Sequence, residues 1–207
     1  MSEPSTTISS PTITAGATEG LYASIMALVE PGDEVVLIEP FYDAYPADVA
    51  LAGGVCRHVP LKPDGAGGWG LDPDELRAAF SARTRLLLLN TPHNPTGTVL
   101  TREELQSVAD VAAEHDLLVV TDEVYEHLVF DDALSSEGHV PLASLPGMRE
   151  RTLTLSSVGK SWSFTGWKVG WATGPAPLVA AVLAAKQWLT FTSGSPLQPA
   201  VAHALDH

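Results

Sequence analysis

The stretch SSVGKSWSFTGWKVGW, residues 156–171, holds two of the chain's four lysines, Lys160 and Lys168, among small and aromatic residues. A lysine amine is almost wholly protonated near neutrality and becomes a nucleophile only where desolvation or a neighbouring cation lowers its pKa. Trp162, Phe164, Trp167 and Gly159 are expected to exclude water from Lys160, and Lys168 supplies a second positive charge. A plain surface lysine at a helix start would face the unfavourable end of the helix dipole. Three further stretches carry chemistry-bearing types: PFYDAY (40–45), TPHNPTG (91–97) and DEVYEH (122–127). Alone, each has a bland reading: a core aromatic, an Asn-Pro turn, an aspartate capping the next helix. In TAGATEG (14–20), small residues precede an amphipathic helix, so the backbone N–H groups at Ala17 and Thr18 can face an anion together with the positive helix end.

The elements that must position these residues alternate. β-rich runs fall at 34–39, 55–60, 85–90, 117–122, 152–157 and 169–174, several of them apolar without alternation, as strands covered on both faces are. Helix starts lie between them: Asp72 as N-cap with Pro73 at the first helical position and Glu75 at the third, and a capping box formed by Thr101 and Glu104. Strand and helix in alternation predict a three-layer α/β/α sandwich around a mostly parallel sheet. In such sheets ligands gather at the carboxyl ends of strands, and four of the singled-out stretches follow directly on strands. The Gly/Pro-rich segment 62–70 and the segment around 131–148 are expected to be surface loops.

Composition narrows the classes. The chain has 207 residues, 45% hydrophobic and 17% charged, enough for one large domain with a real core. With 25 acids against 11 bases, a formal charge of −14 argues against nucleic acid or anionic membrane as partner, so any anion site must be local. A single cysteine, Cys56, excludes an internal disulfide, and no signal segment or spanning run is apparent, which makes the cytoplasm the expected compartment. The seven histidines lack paired zinc spacings, and no metal is expected.

Together, NTPHNPTG, TDEVYEHL and SSVGKSWSFTGWKVGW resemble the class I/II aminotransferases, pyridoxal-phosphate enzymes of fold type I, nearest the kynurenine, methionine and N-succinyldiaminopimelate aminotransferase group. The resemblance implies the large, cofactor-binding domain of that fold over residues 12–207, preceded by a polar tail at 1–11. By resemblance, Lys160 holds pyridoxal 5′-phosphate as an internal aldimine and then moves the substrate proton. Asp122 keeps the ring nitrogen protonated, while Tyr125 and Asn94 donate to the phenolic oxygen. Tyr42 stacks on the ring, and Ser157 and Lys168 join Gly16, Ala17 and Thr18 around the phosphate. Many relatives carry arginine at the position of Lys168; lysine keeps the charge without the planar fork. His93 is open between supporting the ring and a structural role, and Glu126, Trp69, Trp171 and Trp188 are read as packing or surface.

The implied activity is transamination between an L-amino acid and a 2-oxo acid. The alternatives are a β-lyase or decarboxylase on the same cofactor, or a non-catalytic pyridoxal-phosphate-binding sensor module. Family chains are roughly twice as long and work as homodimers. No arginine follows Arg151 to grip a substrate carboxylate, and the 207 residues alone are expected to be a fragment of impaired activity.

Overall fold

The structure is a computed structural model and describes residues 10–65, 67–130 and 138–207; most of the polar tail expected at 1–11 lies outside them. In chain order the elements are β1 (Thr12–Thr14), α1 (Gly16–Leu28), β2 (Glu34–Glu39), α2 (Ala44–Leu51), β3 (Val55–Pro60), β4 (Lys62–Pro63), β5 (Trp69–Gly70), α3 (Pro73–Ala78), β6 (Thr84–Asn90), α4 (Arg102–Glu114), β7 (Leu118–Asp122), β8 (Thr152–Ser157), α5 (Val158–Ser161), β9 (Gly170–Thr173), α6 (Ala176–Lys186) and α7 (Gln198–Leu205). Seven strands form one sheet in the order β1-β9-β8-β7-β6-β2-β3. The pairs within β8-β7-β6-β2-β3 are all parallel. β9 runs antiparallel to both β8 and β1, so β1 points the same way as the other five.

The unbroken apolar strands are explained by cover on both faces. Val36, Ile38, Leu87, Leu89 and Val119 face one core with Leu105, Val108 and Val111 of α4. Their neighbours in sequence, Val35, Leu37, Leu86, Leu88 and Val120, face the other with Leu21 and Ile25 of α1 and Val179 and Val182 of α6. Each fully buried leucine here contributes about 1.5–3 kcal/mol relative to exposure. The three layers are therefore those expected of a fold type I large domain. Thr101 and Glu104 form the capping box, and Asp72 accepts the N–H groups of Asp74 and Glu75.

Three elements differ from the sequence reading. β1 was not among the expected strands, because three residues are too few to show a period; it is held by pairing with β9. The Gly/Pro-rich loop closes as a two-stranded ribbon, β4 with β5. In the segment around 131–148, residues 131–137 lie outside the described residues, but the rest is not a surface loop. Val140, Leu142, Leu145 and Met148 are buried in the α4-side core, anchored every few residues by a pattern too irregular for a strand or helix signal.

Candidate functional site

The topology sends β1, β2, β6, β7 and β8 to one edge by their carboxyl ends, and reversed β9 starts at that same edge. A helix or loop after each forward strand, and the turn before β9, thus meet in one place. Thr14 of β1 and Ser157 of β8 flank Gly170 of β9 in register. Gly170 has to be glycine: a Cβ there would lie 2.6 Å from the Gly16 carbonyl carbon, 2.8 Å from the Ala17 nitrogen and 2.9 Å from the Ser156 oxygen. This close approach seats the start of α1 on β9. Gly16 has φ +76° and Lys168, a non-glycine, φ +52°, so two left-handed residues shape the two sides of the same corner.

Gly16, Ala17, Thr18, Tyr42, Asn94, Asp122, Tyr125, Ser157, Lys160 and Lys168, the ten residues singled out from the sequence, all line one cavity of about 220 Å³ at this edge. Asp122 ends β7, 9% exposed, opposite Asn90 at the end of β6. The Tyr45 hydroxyl donates to Asp122 Oδ2 at 2.8 Å, and the Val124 N–H reaches Oδ1 at 3.3 Å. Burial pushes the Asp122 carboxyl above its ordinary range; the Tyr45 hydroxyl, the Val124 N–H and the charge of Lys160 pull the other way. Burial and the neighbouring Asp122 raise the Tyr45 phenol, which therefore stays a donor.

Lys160 lies in α5, one turn entered from β8, with its Nζ 5.3 Å from the centre of the Tyr125 ring. The expectation that aromatics bury it is corrected here. Lys160 is exposed, and Phe164 and Trp167 stack on each other at 4.8 Å while remaining 45% and 37% exposed. Trp162 turns away to pack with Ile13, Trp171 and Val201. The reason is geometric: the backbone leaves α5 with Ser163 at φ +58°, and the short 3-10 turn Thr165–Trp167 carries its rings outward. What contacts the turn around Lys160 instead is the Thr165 hydroxyl, which donates to the Gly159 carbonyl at 2.8 Å.

At the start of α1 the N-cap position is Ala15, which provides no side-chain cap, so the first-turn N–H groups have no such partner. Ser157, 7% exposed, and Lys168 lie beside them in the same cavity. Tyr42, 41% exposed, meets Tyr45 edge-on at 5.8 Å. Asn94 is set by its backbone: its N–H donates to Asn90 Oδ1 at 2.7 Å, while Asn90 Nδ2 donates to the Asp122 carbonyl at 2.8 Å. One buried amide therefore ties the Asn94 turn to the strand that carries Asp122.

Tyr45 and Asn90 line the cavity and were not singled out from the sequence. The signal for Tyr45 was its place three residues after Tyr42 at a helix start; for Asn90 it was a polar residue ending an apolar strand, as Asp122 does. His93 does not line this cavity. It is buried, its Nδ1 lies 2.8 Å from the Thr96 hydroxyl oxygen, and burial lowers its pKa, which keeps it neutral and structural. Glu126, read as packing or surface, accepts the Ser156 hydroxyl at 2.6 Å and so fastens the Tyr125 turn to β8.

These residues suit pyridoxal phosphate. A buried carboxylate with two hydrogen-bond donors among the described residues is matched by a protonated ring nitrogen, whose charge would offset the burial that raises its pKa. An uncapped helix start between a serine and a lysine is matched by a phosphate dianion. Among the described residues, no helix is long and apolar enough to cross a membrane.

The family model described as aminotransferase class I and II matches residues 4–207. The chain is 57% identical over 194 residues to a probable N-succinyldiaminopimelate aminotransferase of Mycobacterium tuberculosis, covering 94% of this chain and 48% of that protein. It is 46% identical over 199 residues to kynurenine–oxoglutarate transaminase 3 of Mus musculus, covering 93% of this chain and 43% of that one. The solved structure of N-succinyldiaminopimelate aminotransferase from Mycobacterium tuberculosis superposes with a TM-score of 0.91 at 55% identity, over 99% of this chain and 51% of that one. The chain thus spans about half the length of the curated relatives it matches.

Proposed function

Since the chain belongs to the class I and II aminotransferases, a pyridoxal-phosphate-dependent family, we propose that it forms the cofactor-binding half of an enzyme moving an amino group between an L-amino acid and a 2-oxo acid. One observation carries this reading: a lysine amine, a buried carboxylate and an uncapped helix start beside a second lysine share a single cavity. Pyridoxal phosphate, when bound, supplies an electron-accepting ring and a carbonyl carbon that amines can attack.

Each protein group then has a task its position suits. Lys160 Nζ would be the amine that holds the cofactor through its carbonyl carbon and, when free, the general base placed for the proton on the substrate Cα. Asp122 holds a proton on the ring nitrogen, and Tyr45 keeps its Oδ2 oriented by the 2.8 Å hydrogen bond. The Tyr125 hydroxyl and the Asn94 amide donate to the phenolic oxygen. The Ala17 and Thr18 N–H groups, following the Gly16 turn, bind the phosphate with the Ser157 hydroxyl and the Lys168 ammonium. Tyr42 would lie against the cofactor ring and limit water. The exposed rings of Phe164, Trp167, Trp188 and Phe191 are apolar surface of the kind a homodimer of the longer family form would cover.

The reading is tested by mixing the chain with pyridoxal phosphate, reducing with borohydride and mapping the labelled peptide. The label is expected on Lys160, and the visible absorbance of the lysine-bound cofactor is expected to vanish in Lys160→Ala. A label on Lys62 or Lys186 would overturn the assignment.

A further inference from the structure

α6 is an apolar helix whose buried face is Val179, Val182 and, at the next turn of that face, Lys186. A lysine on a core stripe requires a partner, because an ammonium taken out of water without one is strongly unfavourable. Its side chain is 3% exposed, and its Nζ lies 4.0 Å from Oε2 of Glu19, itself 9% exposed. Lys186 also donates to the Thr190 hydroxyl at 3.0 Å and to the Phe191 carbonyl at 3.3 Å. Glu19 in turn accepts the Ala15 N–H at 2.6 Å, while its other oxygen, Oε1, is buried without a hydrogen-bond partner.

The placement of Glu19 is what makes the pair informative. It sits in the first turn of α1, directly after Ala17 and Thr18, and accepts the N–H of the N-cap residue Ala15 from four positions on, while the alanine N-cap offers the helix no side-chain acceptor. A carboxylate there favours the helix but opposes any anion brought to the same N–H groups. Lys186 supplies the offsetting charge from 4.0 Å away and does not line the cavity.

We propose that Glu19 and Lys186 form a buried positioning pair for the anion cradle: Glu19 fixes the Ala15–Thr18 turn through the Ala15 N–H, and Lys186 cancels its charge so that the helix start still attracts a phosphate. This rests on the reading of that turn as the phosphate site. Neither residue touches the ligand; both act through the backbone and the potential of α1. The pair also explains why the most buried cation of a chain with formal charge −14 lies beside the first turn of α1 rather than on the surface.

The test compares pyridoxal phosphate with phosphate-free pyridoxal, both titrated into the 207-residue chain and followed by absorbance, with a thermal melt of each variant. Lys186→Met is expected to weaken pyridoxal phosphate about tenfold while leaving pyridoxal within about twofold, because the unneutralised carboxylate repels only the dianion. Glu19→Gln, which keeps an acceptor for the Ala15 N–H, is expected to bind pyridoxal phosphate at least as tightly as the parent, and the double variant to recover most of the loss. Lys186→Arg should stay near the parent. A merely structural pair predicts the opposite sign for Glu19→Gln and equal losses for the two ligands, and either result would overturn the proposal. If Lys186→Met does not fold, the sign of Glu19→Gln and the double variant decide it. A parent that binds both ligands alike sinks the phosphate-cradle reading and this proposal with it; a parent that discriminates, with Lys186→Met discriminating equally well, sinks this proposal alone.

Discussion

Tyr45→Phe removes one oxygen from the floor of the cavity and leaves the packing of the ring in place. Tyr45 is 3% exposed and its hydroxyl gives Asp122 Oδ2 a 2.8 Å hydrogen bond, whereas the remaining donor, the Val124 N–H, reaches the other oxygen at 3.3 Å. A buried hydrogen bond to an ionised acceptor contributes about 1.5–3 kcal/mol, and one to a neutral carboxyl about 1 kcal/mol. The folded Asp122 carboxyl is already raised by burial, so its contribution to stability is fully present below the ordinary value of 3.8 and is lost as pH rises through the folded value. The Tyr45 hydroxyl limits that loss. Its removal raises the folded value further, so the deficit of the variant grows with pH. Unfolding by urea, in the absence of cofactor, should show the variant destabilised by about 1 kcal/mol at acid pH, where the carboxyl is neutral, and by about 2 kcal/mol where it is ionised, the latter a fall in Tm of about 4–8 °C. A double-mutant cycle with Asp122→Asn should return a coupling of about 1–2 kcal/mol. A deficit independent of pH, with coupling below about 0.5 kcal/mol, would refute the claim that this hydroxyl acts on the carboxylate.

Gly170→Ala should cost about 3 kcal/mol in thermal unfolding and weaken pyridoxal phosphate binding, because the new Cβ meets backbone atoms of Gly16, Ala17 and Ser156 that cannot step aside; a loss under about 0.5 kcal/mol would contradict the close approach. Asp48, buried in α2 with Oδ2 lacking a partner, has its carboxyl pushed up to about 6 by burial, so stability is lost as pH rises through that value. Asp48→Asn should therefore stabilise the chain at pH 8, by on the order of 1 kcal/mol, and change it little at pH 4; equal effects at both would argue against burial as the cause. Glu34, whose side chain is 0% exposed, is held at about 2 by Arg57, Ser81 and Arg83, so its contribution is present above 4.5 and lost as pH falls toward 2. Glu34→Gln should flatten the acid limb of the stability profile, measured by urea unfolding between pH 5 and 2, and an unchanged limb would count against it.

Local chemistry was enough to read most of this protein. Asp72 and Thr101 cap their helices because the relevant partners lie within three residues, and the strand runs at 34–39 and 152–157 are legible because cover on both faces leaves an unbroken apolar signal. The types Lys160, Asp122 and Asn94, each at or just past the end of a strand, marked the edge where a site should form. What only the tertiary structure decided are relations between distant segments. Reversal of β9 brings Lys168 to the same edge as Thr14 and Ser157, and nothing in residues 168–173 states their direction. Tyr45 meets Asp122 across 77 positions and Lys186 meets Glu19 across 167, pairs that periodicity cannot show because it reports only which face a residue takes, not what stands opposite. Phe164 and Trp167 make the same point from the other side. Apolar residues beside Lys160 in sequence suggested a dry lysine, but the left-handed step at Ser163 turns their rings outward, since direction along a chain of non-regular φ is set by backbone geometry rather than by residue type.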